Sequence, residues 1–181
     1  MKTPSRMNKL RHVLALVAVA LLFSNASSRA EDRLSPALAP LAFLTAHEWE
    51  AKLPDSPDGQ KRSIHARFTW AENRQAIRIS NQFVVSGVAK PYIDGLYAWN
   101  PEKKSLVFTH VDADGNLTEG VVRDEDGKLV HEFRELHCAD GKVEEYVARV
   151  TPHGEASWDD AIFRKGDMAT PIVQVTYLPL R

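Results

Sequence analysis

The sequence predicts an all-β fold: a single up-and-down antiparallel β-barrel of about nine or ten strands, preceded by a short N-terminal helix. Three observations carry that prediction. Between residues 106 and 150, Asp114-Gly115, Asp126-Gly127 and Asp140-Gly141 interrupt strand-forming runs at 106–112, 117–123, 129–138 and 143–150. Asp-Gly suits a tight reversal because glycine reaches positive φ without a Cβ clash and aspartate tolerates it, so this stretch reads as three hairpins in succession. Outside it, apolar and polar residues alternate with period two, and no helical periodicity follows the N-terminal lead. The connections are uniformly short, which disfavours the crossings of a two-sheet sandwich. So many strands without covering helices would expose long edges unless the sheet closed on itself.

Residues 1–30 are set apart from the fold. Lys2, Arg6, Lys9 and Arg11 form a basic start, residues 13–23 an apolar core, and Ser28-Arg29-Ala30 a small-residue cleavage region. This is the pattern of a secretory signal peptide, and its apolar run is too short for a comfortable membrane span. It predicts an exported protein, periplasmic or extracellular, whose mature part (31–181) is one barrel domain. Taking that segment's five basic residues from the chain's 23 leaves 18 against 24 acidic ones, a net charge of −6. Such a domain is a poor partner for nucleic acid or anionic membranes. Cys138 stands alone, which excludes an internal disulfide and a Cys-His metal finger. Nothing in the sequence sets an oligomeric state.

In chain order, residues 31–46 begin as a lead punctuated by Pro36 and Pro40 and become apolar at Leu38, Leu41, Phe43 and Leu44, a short amphipathic helix suited to closing one end of a barrel. Residues 48–53 read as a first strand carrying Trp49, ended by the turn cluster at 54–59. Ile64, Ala66, Phe68 and Trp70 alternate with Ser63, His65, Arg67 and Thr69. Ile77, Ile79, Phe83 and Val85 repeat that pattern, with Asn81 as a polar residue on the apolar side. In the next strand, 92–99, Asp94-Gly95 reads as a bulge, because Asn100-Pro101 already supplies the turn. Strands at 156–164 and 171–178 complete the chain.

Three segments in order give a resemblance: Leu41-Ala42-Phe43-Leu44 leading to Trp49, then Gly95-Leu96-Tyr97-Ala98-Trp99-Asn100-Pro101, then Asp114-Gly115-Asn116-Leu117-Thr118-Glu119-Gly120. Over roughly residues 41–178 the chain resembles the calycin-like up-and-down barrels, meaning the lipocalins and, closest, a related bacterial family of unknown function found in exported proteins. The resemblance implies a lipocalin-like barrel whose interior holds a small apolar molecule. Haem is not expected, since Trp49-Glu50-Ala51-Lys52 lacks the glycine-rich opening of the haem-binding barrels and the last histidine, His153, sits in a Pro-His-Gly turn.

Aromatic residues are the best pointer to a site. Trp70, Phe83, Phe133, Tyr146, Trp158 and Tyr177, together with Phe68 and Phe108, recur on inward faces of different strands. Small barrels also fill their interiors with side chains, so the same pattern fits plain packing. The sharper reading is a cavity for a small apolar or aromatic molecule, oriented by Asn81, His110 or His131. His131, Phe133, Glu135 and His137 share a strand face, a spacing that serves a divalent metal or a proton shuttle. A single strand lacks the third ligand, however, and its end faces solvent equally well. His110-Val111-Asp112 has the spacing that opens a two-histidine, one-carboxylate iron site, although Asp112 also stands where a hairpin wants aspartate. No nucleophile elbow or phosphate loop is present, and Ala51 stands where a His47-Glu48 zinc motif needs its second histidine. No catalytic residue, metal or cofactor is therefore assigned. The functional expectation is a binding barrel, with a barrel enzyme using a His/carboxylate pair and a structural envelope protein as alternatives.

Overall fold

The computed structural model describes residues 34–181; the signal peptide predicted at 1–30 lies outside the described residues. A 3₁₀ helix, Pro36–Ala46, precedes ten strands: β1 (Glu48–Leu53), β2 (Arg62–Trp70), β3 (Ala76–Val85), β4 (Val88–Asn100), β5 (Ser105–Asp112), β6 (Leu117–Glu125), β7 (Lys128–Leu136), β8 (Val143–Pro152), β9 (Trp158–Arg164) and β10 (Val173–Pro179). Each strand pairs antiparallel with the next, and β10 returns to β1 with Trp49 opposite Pro179 and Ala51 opposite Tyr177, closing the barrel. Closure removes both sheet edges, as the all-β reading requires. Ten strands are two more than a lipocalin barrel has. Among the described residues no helix is long and apolar enough to cross a membrane.

The helix explains why one end of the barrel is solid. Leu38, Leu41 and Leu44 are all buried and fall three residues apart, the spacing at which a 3₁₀ helix eclipses its side chains into one row. That row packs with Trp49, Ala51, Ala66, Ile77, Leu106, Val122 and Leu129. Trp49 Nε1 donates to the Leu44 carbonyl at 2.7 Å, and the Ser35 N–H donates to the Arg74 carbonyl at 3.1 Å, tying the helix to β1 and to the β2–β3 turn.

The turns refine the sequence reading. Only Asp126-Gly127 is a two-residue reversal with both residues at positive φ (56° and 78°). At the other two sites Gly115 and Gly141 alone take that conformation, inside longer loops. Ser86-Gly87 (φ 48° and 81°) makes a further two-residue turn, so β4 begins at Val88, four residues before the strand predicted at 92–99. The bulge in β4 also differs from the expected one. Asp94-Gly95 pairs regularly with Ser80 and Ile79, and the register shifts at Asn81/Gln82, where Ile93 and Pro91 face them and Tyr92 is the extra residue. Proline cannot donate to a ladder, and a bulge is where a strand tolerates it.

Candidate functional site: the barrel interior

Beyond the helix-packed end the interior opens into a cavity of about 220 Å³, lined by inward residues of β2 to β5 and β7 to β10. Larger concavities open elsewhere on the barrel. The one beside Leu96, Thr109 and Arg134, of about 430 Å³, is open to solvent, and Arg134 there is already paired with Glu119. The interior is different in kind. Six side-chain polar atoms among the described residues are buried with no protein hydrogen-bond partner of good geometry, and five belong to residues on this one wall: Asn81 Oδ1, His110 Nδ1, His131 Nδ1, which has only the Leu129 carbonyl near it, Trp158 Nε1 and Asp160 Oδ1. An unpaired buried polar group costs about 1–3 kcal/mol, so five around one space call for partners there.

Local backbone features place these groups. Asn81 sits at the register shift, where a bulge re-aims side chains. His110 lies opposite Gly95, and a Cβ on Gly95 would fall 2.2 Å from the Thr109 carbonyl oxygen and 2.4 Å from His110 Cβ. Phe108 and Phe133 close over Gly120 in the same way, with Phe108 Cε1 2.7 Å from where a Cβ would be. The two glycines thus let the sheet bend and bring His110, Phe108 and Phe133 inward. His110 stacks on Phe108 at 6.0 Å between ring centroids. Burial lowers its pKa, partly offset by Asp112.

His131 is buried between Tyr97 and Phe108, edge-on to both rings, with its Nε2 3.2 Å from the Tyr97 hydroxyl. Burial lowers its pKa to about 4, the nearby Leu129 carbonyl opposing this, so the ring is neutral at pH 7. Trp158 stacks on Tyr177 at 3.8 Å with the planes 7° apart, and meets Phe43, Trp49 and Phe68 edge-on. Asp160 follows it on the same face, flanked by Val150 and Val175 on the neighbouring strands. Burial pushes its carboxyl up to about 7. After burial itself, the Asp160 charge is the next influence raising the phenols of Tyr97 and Tyr177.

Of the nine residues that the sequence pattern marks, Asn81, His110, His131, Phe133, Trp158 and Tyr177 meet on this wall. Trp70, Phe83 and Tyr146 point inward at other heights. Trp70 packs on the core at the helix end, and Phe83 lies edge-on to Tyr92, 6.0 Å away. Tyr146 stacks on Phe133 and donates to Glu144 Oε2 at 2.7 Å. Asp160 and Tyr97 are wall residues that the pattern does not mark, although period two counted from Trp158 already turns Asp160 inward.

No family model matches the chain. No curated protein matches it in sequence either.

The two histidine motifs meet at the cavity through His110 and His131, while their other members lie elsewhere. His131 is interior, whereas His137 follows β7 at the opposite end from the helix, with Nε2 3.2 Å from Glu144 and 3.7 Å from Glu135. Glu144 is held down to about 2 by hydrogen bonds from Lys142, first, and Tyr146. Asp112 accepts from the N–H groups of Asp114 and Asn116 and from the Asn116 side chain, which is a loop-capping role. Among the described residues no group of three or more His, Cys, Asp or Glu side chains is placed to hold a metal ion.

Proposed function

We propose that this is an exported binding barrel that holds one small, largely apolar molecule in its interior. The single observation that carries the reading is the convergence of five unpartnered buried polar atoms on one aromatic-lined cavity. A packed core would place valine, isoleucine or leucine at those positions, whereas a ligand site combines apolar walls with a few polar groups that fix orientation. The signal-peptide pattern at 1–30 supports export, and the resemblance to exported calycin-like barrels is in keeping with it.

Ala148 gives the test. It lines the cavity opposite His131, so Ala148→Leu extends a side chain into the space a ligand would occupy. Calorimetric titration of the mature protein with toluene or phenol is expected to show one saturable site. Ala148→Leu should abolish it while the circular dichroism and melting temperature stay at or above wild type. Absent or unsaturable uptake by the wild type, or uptake that survives the filled cavity, would overturn the reading.

A further inference from the structure

The formal charge of the cavity wall is one-sided, although its hydrogen-bonding groups include donors as well as acceptors. The wall presents an unpartnered carboxyl oxygen, Asp160 Oδ1, and an unpartnered amide oxygen, Asn81 Oδ1, but no lysine or arginine. Both imidazoles are kept from protonating by burial, so neither supplies a positive charge at neutral pH. Trp158 Nε1 offers one N–H, which orients an acceptor but carries no net charge. An anion in this space would lose its hydration, gain no counter-cation and face Asp160. A molecule bearing an N–H or O–H would instead satisfy an oxygen that the protein leaves bare.

Size narrows the class further. An apolar cavity of about 150 Å³ admits benzene, so about 220 Å³ holds one ring with a few substituent atoms, or a small fused pair. Phe108, Phe133 and the stacked Trp158–Tyr177 pair supply the flat walls such a ring packs against.

We propose that the cavity selects a one-ring or small two-ring molecule carrying a hydroxyl or amine donor, and rejects carboxylates of the same size, with Asp160 as the specificity-determining residue. This rests on the binding-barrel reading above and adds the polarity of the ligand to it.

Four ring probes of similar size test it, titrated separately at pH 8, above the value of about 7 to which burial raises Asp160: phenol, benzylamine, toluene and benzoate. At least one donor probe, phenol or benzylamine, should bind about ten-fold or more tighter than toluene, the effect of one hydrogen bond to a charged group. The tighter of the two tells hydroxyl from amine. Benzoate should bind more weakly than toluene. In Asp160→Asn, with folding checked by its melting curve, benzoate should come within about three-fold of toluene and benzylamine should lose its advantage. Benzoate binding as well as phenol, both donor probes binding no better than toluene, or an unchanged ranking in Asp160→Asn would overturn the ligand class while leaving the binding barrel standing. Failure of all four to bind the wild type would remove both.

Discussion

Two tryptophans 6.3 Å apart mark two regions of the barrel that are built to different rules. Trp49 is fully buried, and its indole N–H is spent on the Leu44 carbonyl, inside a cluster with Leu38, Leu41, Ile77 and Leu129 that excludes solvent. Trp158 is almost as buried, yet its N–H has no partner, and it borders a space that Asn81, His110, His131 and Asp160 also enter with polar atoms unpaired. The helix end packs as an apolar core in which, among the described residues, Ser105 Oγ is the one buried side-chain polar atom without a partner, and it contributes stability. The central region gathers several buried polar groups that have no protein partner, the arrangement the proposed ligand site would use. On the proposed reading, scaffold and site occupy different heights of one continuous sheet.

The largest expected effect sharpens that division. Trp49→Ala should cost about 3–5 kcal/mol in chemical denaturation, the range for truncating a buried tryptophan. The matched pair Trp49→Phe and Trp158→Phe is more discriminating, because both remove similar volume but only the first breaks a hydrogen bond and strands a carbonyl. Trp49→Phe should be the more destabilising by about 1–3 kcal/mol. Equal costs would mean that the two indoles are equally satisfied.

The pH dependence of stability offers a second way to break the contrast, since the central region holds two ionisable groups shifted in opposite senses. His131 has its pKa lowered from 6.5 to about 4, so the unfolded chain takes up the proton first and stability is lost as pH falls from about 6.5 to 4. Asp160 is raised from 3.8 to about 7, so the folded chain holds the proton longer and its contribution is lost as pH rises from about 4 to 7. The two oppose one another in the wild type. Relative to wild type, Asp160→Asn should therefore gain stability as pH rises through that window, and His131→Gln should gain as it falls, each by on the order of 2–3 kcal/mol. Denaturant melts at pH 4, 5.5 and 7 decide this, and differences independent of pH would place both groups in contact with water.

The smallest expected effect separates scaffold from site. Gly127 turns the β6–β7 hairpin at the helix end with φ 78° and nothing within 4 Å of an added Cβ, so Gly127→Val meets backbone strain alone. It should lower stability by about 1–2 kcal/mol without changing the affinity for a ring probe. An altered affinity would show that the two regions are coupled.

Much of the fold is legible in the residues, and the limits of that legibility are physical. Period two states which face a side chain takes, so alternation alone turns Asn81, His110, His131 and Trp158 inward. Alternation carries no information on height along the barrel axis. Trp70, Phe83 and Tyr146 are therefore indistinguishable by pattern from the residues that meet at the cavity, although the helix plug, Tyr92 and Glu144 claim them. Asp160 is hard to read for another reason. A carboxylate reads as a solvent-facing residue, and only its two-residue offset from Trp158 argues otherwise. The bulge falls elsewhere than expected because Asp94-Gly95 is the pair a turn uses, whereas here Gly95 serves close approach to His110 and Pro91 marks the true irregularity.

The central claim, that the unpaired polar groups of the middle barrel await a ligand, is tested most directly by the tryptophan indole N–H resonances of the ¹⁵N-labelled mature protein, titrated with phenol. The account predicts that the Trp158 signal shifts saturably while that of Trp49, locked to Leu44 at 2.7 Å, stays in place. A Trp158 resonance that does not move, or one that moves no more than Trp49 at saturating phenol, would contradict it.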